Sequence, residues 1–480
     1  MLLGIDNGLT VTKAVVFDTA GRARAIARRR VPRSMPKPRH VERDMAGLWR
    51  ATAEAIREAL EAAGNPRIDA VAATAHGDGL YLLDADRRPL GPGILSLDSR
   101  AAGIAERWNR EPIGAEALRL TGQRPHASAP SALLAHIRDH EPERYARIAT
   151  AFACKDWLRF CLSGRIATDR TEASTAFTDV RTQRWSPEAF RLFGLDSLAA
   201  KAPPILGCAE IAGRVTAEAA RLTGLAKGTP VATGLHDVTA SALGIGGHGP
   251  GVLAVIAGTY SINETVSDRP LTDPRWFCRA AIEPGRWHAM AISPASAANY
   301  DWFLDTFCAA ERAADPGSIH ARLAPKIDAA LSRPSTALFH PYLFGSPHGA
   351  EASGGFLGLR GWHDQGTLLR AVLEGIAFNH RLHVDDLRDG FPIREARLTG
   401  GVSRNPAFAR IFADILAMPV TVADIVMRRT TLAITGALTP GNLAAIAEIA
   451  ARALGWDEAR REAEIAATRA ELNTRHGLDL

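Results

Sequence analysis

An aspartate stands where two patterns meet in the segment GLHDVTASALG, residues 234–244. The apolar residues PVAT lead into this segment, and the small residues VTASALG that follow have a helical pattern. An aspartate at the start of a helix caps free backbone N–H groups. The same carboxylate in a cleft accepts a proton from a substrate hydroxyl. The spacing favours the cap, and it leaves the catalytic role of Asp237 open.

Two tight turns place glycine and hydroxyl side chains between strand-like runs. The first turn lies between LLGID and KAVVFD, and the second lies inside GVLAVIAGTYSINETV. Glycine lets backbone N–H groups approach an anion, and serine or threonine adds a hydroxyl donor. Either turn alone is typical of an ordinary hairpin, whereas one at the start of each half favours a clamp on one polyphosphate. The candidate residues are Asn7, Gly8, Thr10, Thr12 and Lys13 in the first turn, and Gly258, Thr259 and Ser261 in the second.

A third glycine-rich element reads LTGGVSRNPAF at residues 398–408. A strand-like run breaks at Gly400 and Gly401, and Ser403 and Asn405 then precede the helical pattern FARIFADIL. Serine and asparagine are N-cap residues. Paired glycines before a helix equally let a base or a phosphate lie against the backbone. The spacing leaves these two interpretations even.

Alternating helices and strands must position these residues. A helical pattern runs from about Met45 to Ala63, AVAATA at 70–75 is typical of a buried strand, and the alternation continues to about residue 245. Such alternation predicts an α/β fold. Because the opening hairpin pattern recurs near residue 252, we predict two related domains, 1–245 and 246–480, joined by a glycine-rich link at 245–251.

The composition excludes several classes of protein. The 480 residues are 46% hydrophobic and 23% charged, as in ordinary folded proteins. No apolar run approaches the roughly 20 residues of a membrane helix, and the start MLLGIDNG lacks the features of a signal peptide. Five scattered cysteines without a CxxC pair indicate reduced thiols in a cytoplasmic protein. The basic run from Arg22 to Arg39 has no interleaved aromatic residue, so no nucleic-acid partner is expected.

Taken in order, these segments resemble the FGGY carbohydrate kinases of the actin-like ATPase superfamily. IDNGLTVTKAVVFD resembles the first phosphate loop of that family, IAGTYS the second, and GLHDVTASALG the segment of the catalytic base. PYLFGSPHGAEASGGFLGL and LTGGVSRNPAFARIFADIL are similar to its C-terminal signature and adenosine motif. The resemblance implies two ribonuclease H-like domains with a cleft between them. It also implies ATP-dependent phosphorylation of a small sugar or polyol.

The resemblance further implies roles for individual residues. Asp237 becomes the catalytic base, Asp6 holds Mg²⁺, and ATP is bound by the two turns and the third glycine-rich element. We expect the positive end of the helix to favour the ionised form of Asp237. The implied acceptor-binding residues are His76, Gly77, Asp78, Asp98, Arg100, His236 and Asp237 itself, with Lys155 and Asp156 as secondary contacts.

Alternative interpretations stay beside these roles. His76 follows AVAATA at the carboxyl end of a strand, where α/β clefts lie, and it is equally typical of a buried core histidine. Asp98 and Arg100 suit the recognition of vicinal hydroxyls, and a local ion pair explains them as well.

The acceptor is less well defined than the family. VERDMAGLW, HGDGLYLLD and PLGPGILSLDSRA look most like L-xylulose kinases, whereas ACKDWL and ATDRTEAST are also similar to erythritol kinases. The segment 423–445 departs from the family, because Pro440 and Gly441 stand where a helix continues. This departure favours, as an alternative, a sugar-binding sensor with impaired catalysis. A homodimer is left open.

Overall fold

The computed structural model describes residues 1–314, 319–346, 352–401, 403, 405–422, 447–448, 451 and 457–476. Within these residues the chain forms two large mixed sheets, each covered by helices. This confirms the α/β class that the alternating pattern predicts. No helix in the described parts of the chain is long and apolar enough to cross a membrane.

The sheet of the first half starts from a hairpin. Strands β1 and β2 alternate buried and partly exposed residues, because successive side chains point to opposite faces. β1 is also parallel to β5, and the strand order is β13-β14-β5-β1-β2-β3, with β15 beside β5. The strands are β1 (Leu2–Asn7), β2 (Val11–Phe17), β3 (Ala23–Arg30), β4 (Glu42–Arg43), β5 (Ala70–Ala75), β6 (Tyr81–Leu83), β7 (Gly93–Ile94), β8 (Thr150–Phe152), β9 (Thr168–Asp169), β10 (Thr178–Asp179), β11 (Arg184–Trp185), β12 (Ile205–Leu206), β13 (Ile211–Arg214), β14 (Pro230–Ala232) and β15 (Leu235–His236).

The second half repeats this arrangement. Its strand order is β18-β19-β17-β16-β22-β23, so a central strand again has an antiparallel neighbour on one side and a parallel neighbour on the other. The strands are β16 (Val252–Ala257), β17 (Ser261–Ser267), β18 (Phe277–Ala280), β19 (Trp287–Ser293), β20 (Leu338–His340), β21 (Gly355–Leu357), β22 (Glu395–Thr399) and β23 (Val420–Val422). The recurrence of the hairpin pattern near residue 252 is therefore a recurrence of sheet topology.

Amphipathic helices cover the sheets. Asp44 caps α1 by accepting hydrogen bonds from the backbone N–H groups of Ala46 and Gly47, and the helix packs on β2 and β3. The 26-residue α14 packs on β17 and β19 in the core of the second half. The helices are α1 (Met45–Ala62), α2 (Ala102–Arg110), α3 (Pro112–Thr121), α4 (Pro130–His140), α5 (Pro142–Ala146), α6 (Cys154–Ser163), α7 (Arg170–Ala173), α8 (Pro187–Leu192), α9 (Ala217–Thr223), α10 (Asp237–Gly244), α11 (Ala297–Phe307), α12 (Ala309–Ala314), α13 (Ile319–Leu331), α14 (Gln365–Gly390), α15 (Pro406–Leu416) and α16 (Glu458–His476), with a 3₁₀ turn at Asp196–Lys201.

The predicted link at 245–251 joins α10 to β16 and so connects the two sheets. The domain bounds 1–245 and 246–480 themselves stay a prediction.

Candidate active site

Three parallel strands of the first half end side by side. Asn7 at the end of β1 is in register with Ala75 at the end of β5, and Ala75 is in register with His236 at the end of β15. The residues at these ends therefore meet at one edge of the sheet, where α/β proteins form clefts. This register brings Asp6, the loop that begins at His76, and Asp237 together from three distant parts of the chain.

The first turn places charge on one face and polar contacts on the other. Asp6 and Lys13 are cross-strand partners, with 2.7 Å between Lys13 Nζ and Asp6 Oδ2, and about two fifths of each side chain is exposed. The next pair, Asn7 and Thr12, is fully buried, because side chains alternate across the strand. Asn7 Nδ2 donates to Cys154 Sγ, and the Thr12 hydroxyl contacts that of Thr52.

These contacts correct one expectation. The hydroxyl of Thr12 and the amide of Asn7 point into the interior, so they are not side-chain donors of the turn. Gly8 and Thr10 lie in the turn itself, where the N–H of Gly8 donates to the carbonyl of Val11 and Thr10 is exposed.

Asp237 is the first residue of α10 and not its cap. The N-cap is His236, whose Nδ1 accepts a hydrogen bond of 3.3 Å from the N–H of Val238. Burial raises the pKa of Asp237 to about 7, with the charges of Asp6 and Asp78 adding to the rise. Hydrogen bonds from the backbone N–H groups of Val238 and Gly77 oppose it. The expectation that the helix end keeps this carboxylate easily ionised is therefore wrong, because burial and like charges outweigh the N–H groups.

Gly77 is required by the close approach of His236. A Cβ atom on Gly77 would lie 1.6 Å from His236 Nε2. Burial lowers the pKa of His236 to about 4, so its imidazole is neutral near pH 7. The glycine therefore lets the loop His76–Asp78 pack directly against His236, the residue that precedes the candidate base.

His76 and the pair Asp98 and Arg100 lie in the interior. His76 is 3% exposed, its Nε2 lies 3.4 Å from Tyr81 Oη, and burial lowers its pKa to about 3. Asp98 accepts hydrogen bonds from the N–H of Val41 and from the Arg100 guanidinium, which also contacts Glu42. The Asp98 and Arg100 side chains are at most 1% exposed. This arrangement favours the local ion pair over a direct contact with an acceptor.

The secondary contacts, Lys155 and Asp156, are also buried. Lys155 Nζ lies 2.5 Å from Asp156 Oδ1 and 3.0 Å from Asp169 Oδ1, and none of the three side chains is exposed. Beside them Glu172 is buried, neither of its carboxylate oxygens has a hydrogen-bond partner within the described residues, and burial raises its pKa well above the usual value. This network is buried beside the site, and Glu172 lines a small cavity together with Asp78.

An arginine from the second half donates a hydrogen bond to the loop His76–Asp78. Arg279 Nη2 donates to Asp78 Oδ1 at 3.0 Å, and its Nε donates to Gln123 Oε1 at 2.9 Å. His126 Nε2 lies 3.8 Å from the same Asp78 oxygen. Burial would raise the pKa of Asp78, but Arg279 and His126 lower it overall. Asp78 and Arg279 are 201 positions apart in the chain. No local pattern therefore points to this pair.

A second missed cluster lies behind Asp237, between the two halves. Thr239, Glu264 and His288 line a cavity of about 10 Å³ together with His236. Three buried atoms there, His236 Nε2, Glu264 Oε1 and His288 Nδ1, have no hydrogen-bond partner in the described parts of the chain. Burial, with the charge of Asp237 as a second cause, raises the pKa of Glu264 to about 8. Polar atoms of this kind suit one bound water.

The second turn resembles the first in the placement of its hydroxyls. Gly258 and Thr259 lie in the turn, and Thr259 is exposed. Ser261 is fully buried and its hydroxyl accepts from Asn263 Nδ2, so it faces the interior like Thr12.

The third glycine-rich element packs against the end of β16. Gly400 has a φ of +115°, and a Cβ there would lie 2.1 Å from the carbonyl oxygen of Ala257, so only glycine fits. Apart from its chain neighbours, no atom of the described residues lies within 4 Å of a Cβ placed on Gly401. The Ser403 hydroxyl donates to the Gly400 carbonyl, and Asn405 caps α15. This confirms the N-cap interpretation for Asn405. The departure at 423–445 lies outside the described residues.

Family models agree with this two-half arrangement. The FGGY family of carbohydrate kinases, N-terminal domain, matches residues 1–244, and the C-terminal domain of the same family matches residues 253–445.

Individual relatives are similar along most of the chain. The probable L-xylulose kinase of Pasteurella multocida is 34% identical, covering 88% of this chain and 87% of its own. The erythritol kinase of Brucella abortus is 30% identical over 88% of this chain and 84% of its own. The crystal structure of a xylulose kinase from Rhodospirillum rubrum is 29% identical, with a TM-score of 0.77 over 88% of this chain and 86% of its own. The chain therefore belongs to the FGGY family of carbohydrate kinases.

Proposed function

We propose that this carbohydrate kinase transfers a phosphoryl group from ATP to a hydroxyl of a small ketose, with L-xylulose as the first candidate and Asp237 as the catalytic base. The observation that carries the proposal is the position of Asp237. Its carboxylate stands at the aligned ends of β1, β5 and β15, next to the acceptor loop, with a pKa raised to about 7. Similarity to L-xylulose kinases supports the ketose.

The raised pKa suits the chemistry. A base works best when its pKa lies near the working pH, because it is then ionised and still holds a proton well. In phosphoryl transfer the acceptor hydroxyl gives up its proton to a positioned carboxylate. The N–H groups of Gly77 and Val238 hold the Asp237 carboxylate in place while its third of exposed surface faces the acceptor.

Asp6 fits the metal role. Mg²⁺ is bound in kinases by one or two carboxylates, with waters and substrate phosphates as the other ligands. Asp6 is a partly exposed carboxylate close enough to Asp237 to raise its pKa, so a cation between them offsets their repulsion. When bound, Mg²⁺ supplies charge neutralisation at the transferred phosphate. Lys13, 2.7 Å from Asp6, adds a second positive charge at this position.

We assign acceptor binding to the loop His76–Asp78 together with His236, and we add Arg279 and His126 to it. Arg279 crosses from the second half to Asp78, so the acceptor site is complete only when the halves are in contact. Asp98 and Arg100 then act at a distance, by holding the segment at Val41 and Glu42.

We assign the nucleotide to the backbone of the two turns and to the third glycine-rich element. The exposed turn residues Thr10 and Thr259 and the open space at Gly401 support contacts with phosphates and adenosine. Asn7, Thr12 and Ser261 then contribute through their backbone and by bracing the turns from inside. Ser403 and Asn405 fix the turn before α15.

Two other functions have specific support. Erythritol or another polyol is the alternative acceptor, supported by the 30% identity to an erythritol kinase. A sensor that binds sugar without turnover is the alternative of another class, and its support is the departure at 423–445. We further propose a cytoplasmic location and leave a homodimer open, with light scattering as its test.

The test is ADP release with Mg-ATP against L-xylulose, D-xylulose, erythritol, other pentitols and glycerol. We expect L-xylulose to stimulate turnover well above the rate without acceptor, and Asp237→Asn to abolish that stimulation. Erythritol as the best acceptor would replace the ketose. Sugar-induced thermal stabilisation without any ADP release would replace the kinase by the sensor.

A further inference from the structure

A basic cleft lies between the two halves, away from Asp237. Its volume is about 640 Å³, in the range of roughly 300–1,000 Å³ that holds small metabolites. Arg170, Arg181, Arg184 and Trp185 from the first half line it. Pro284 and Gly285 close it from the second half.

Hydrogen bonds between the two halves hold the walls of the cleft together. Gln183, in the turn between β10 and β11, donates from Nε2 to the Arg286 carbonyl at 2.7 Å and accepts from the Gly285 N–H at 3.1 Å. Its φ of +57° is unusual for a residue with a side chain. The turn that carries Arg181 and Arg184 is therefore fastened to the second half.

The three arginines lack acidic partners. None of their guanidinium groups lies within 4 Å of a carboxylate in the described parts of the chain, and Arg170 Nη1 has only a 3.5 Å contact to Gln183 Oε1. Arg170 Nε is buried with no hydrogen-bond partner among the residues that the structure describes. The nearest acid in the turn, Asp179, accepts instead from the backbone N–H groups of Arg181 and Thr182. Three unneutralised guanidinium groups around one cleft create a strongly positive potential.

We infer that this cleft binds a small phosphate-bearing molecule. Guanidinium groups match phosphate oxygens in a bidentate geometry, and the rim that Trp185 forms gives the organic part of such a ligand an aromatic wall. The limited volume of this half-open cleft favours a metabolite over an extended polyanion.

The cleft is joined to the candidate active site through one short helix. Arg170 begins α7, and Thr171, the next residue, accepts a hydrogen bond of 3.0 Å from the backbone N–H of His236. A ligand held by Arg170 and by the loop at Gly285 also bridges the two halves. Its binding should therefore favour contact between them.

Titration calorimetry on the whole protein tests the site, with a Mg-bound non-hydrolysable ATP analogue present to fill the nucleotide site. The probes are glycerol 3-phosphate, inorganic phosphate and, as the neutral control, glycerol. The test variant is Arg181→Gln/Arg184→Gln. The matched control is Arg107→Gln/Arg110→Gln, which removes two exposed arginines from α2 and changes the net charge equally.

We expect saturable binding of glycerol 3-phosphate, weakened about tenfold or more by the double cleft variant and unchanged in the control. Kinase turnover without the probe should be the same in all three proteins. Tighter binding of glycerol 3-phosphate than of phosphate would show that Trp185 and its surroundings contact the organic part of the ligand. Equal binding would show that the cleft recognises the phosphate group alone. No binding to the unmodified protein, or equal loss in the control variant, would overturn the site whether or not the kinase assignment holds.

Discussion

The two hairpins that open the two sheets have the same strand pairing and different chemistry on their outward faces. In β1–β2 the second pair from the turn is Asp6 and Lys13, whereas in β16–β17 the corresponding pair is Ile256 and Ile262. The pairs next to the turn, Asn7 with Thr12 and Ala257 with Ser261, are buried in both. The repeat therefore preserves the buried inward face, shortens the turn by one residue and changes the outward face.

This difference indicates how the work is divided. Both turns offer backbone N–H groups to phosphates, which needs no particular side chain. At the second pair from the turn, charged side chains, Asp6 and Lys13, stand on the outward face of the first hairpin, and we propose that they act on the reacting phosphate. We expect substitutions in the first half to affect turnover, and those in the second half to affect binding and the contact between halves.

Replacing the base should have the largest effect. Asp237→Asn removes the proton acceptor, so kcat should fall by about 10²–10⁴-fold. The folded pKa of about 7 lies above the unfolded value, so the stability linked to this group is lost as the pH rises through 7. At pH 8 the variant should therefore have a larger free energy of unfolding than the unmodified protein and melt at a higher temperature. The gain should be only on the order of 1 kcal/mol, because the carboxylate is partly exposed.

The comparison at pH 5 is the control: folded Asp237 is protonated there and only the unfolded carboxyl is ionised, so the advantage of the variant should be smaller than at pH 8. Full turnover in the folded variant would mean that Asp237 is not the catalytic base. It would also contradict the expectation that the first half governs turnover.

Removing the arginine that joins the halves should act on both binding and stability. Arg279→Gln leaves Asp78 without its main partner in a buried position, which should cost about 2–4 kcal/mol. We expect the KM for the acceptor to rise more than kcat falls. Denaturant unfolding and acceptor kinetics measure the two effects. The double variant Asp78→Asn/Arg279→Gln should recover part of the stability, and a purely additive loss would mean that the pair does not act as a unit.

Adding one methyl group to the acceptor loop should disturb the site. Gly77→Ala forces a contact with His236, and overpacking of this kind costs about 1–3 kcal/mol. Gly103→Ala is the matched control, because Gly103 lies in α2 with nothing near its Cβ position, and alanine there should stabilise the helix by up to about 1 kcal/mol. Thermal unfolding and turnover compare the two variants. Equal effects would mean that the approach of Gly77 to His236 is not needed.

The smallest expected effect tests the outward face of the two hairpins directly. Asp6→Asn removes a charge that raises the pKa of Asp237, so that pKa should fall by about one unit. Carbon NMR of the Asp237 carboxyl in EDTA measures it without any metal. Ile256→Val, at the corresponding place in the second hairpin, should leave the pKa unchanged. An unchanged pKa of Asp237 in Asp6→Asn would mean that the first hairpin does not influence the ionisation of the proposed base.

The sequence determined the features that depend on local patterns. The strands at 2–7 and 70–75, the helix that begins at Met45 and the cap at Asn405 follow from alternation, period and capping, which act over a few residues. The repeat of the glycine turns and the long series of motifs were enough to indicate the α/β class and the kinase family. By that resemblance they also predicted Asp6 as the metal ligand and Asp237 as the catalytic base, and both roles stay predictions.

Only the tertiary structure decided which side chains meet and which face inward. Thr12 and Ser261 share a turn with exposed residues, yet the pleat turns their hydroxyls into the core. The pKa of Asp237 depends on burial and on Asp6, which lies 231 positions away in the chain, and so no helix-end argument gave it. The contact of Arg279 with Asp78 joins two sheets. Such long-range contacts depend on how whole elements pack, and no local pattern records them.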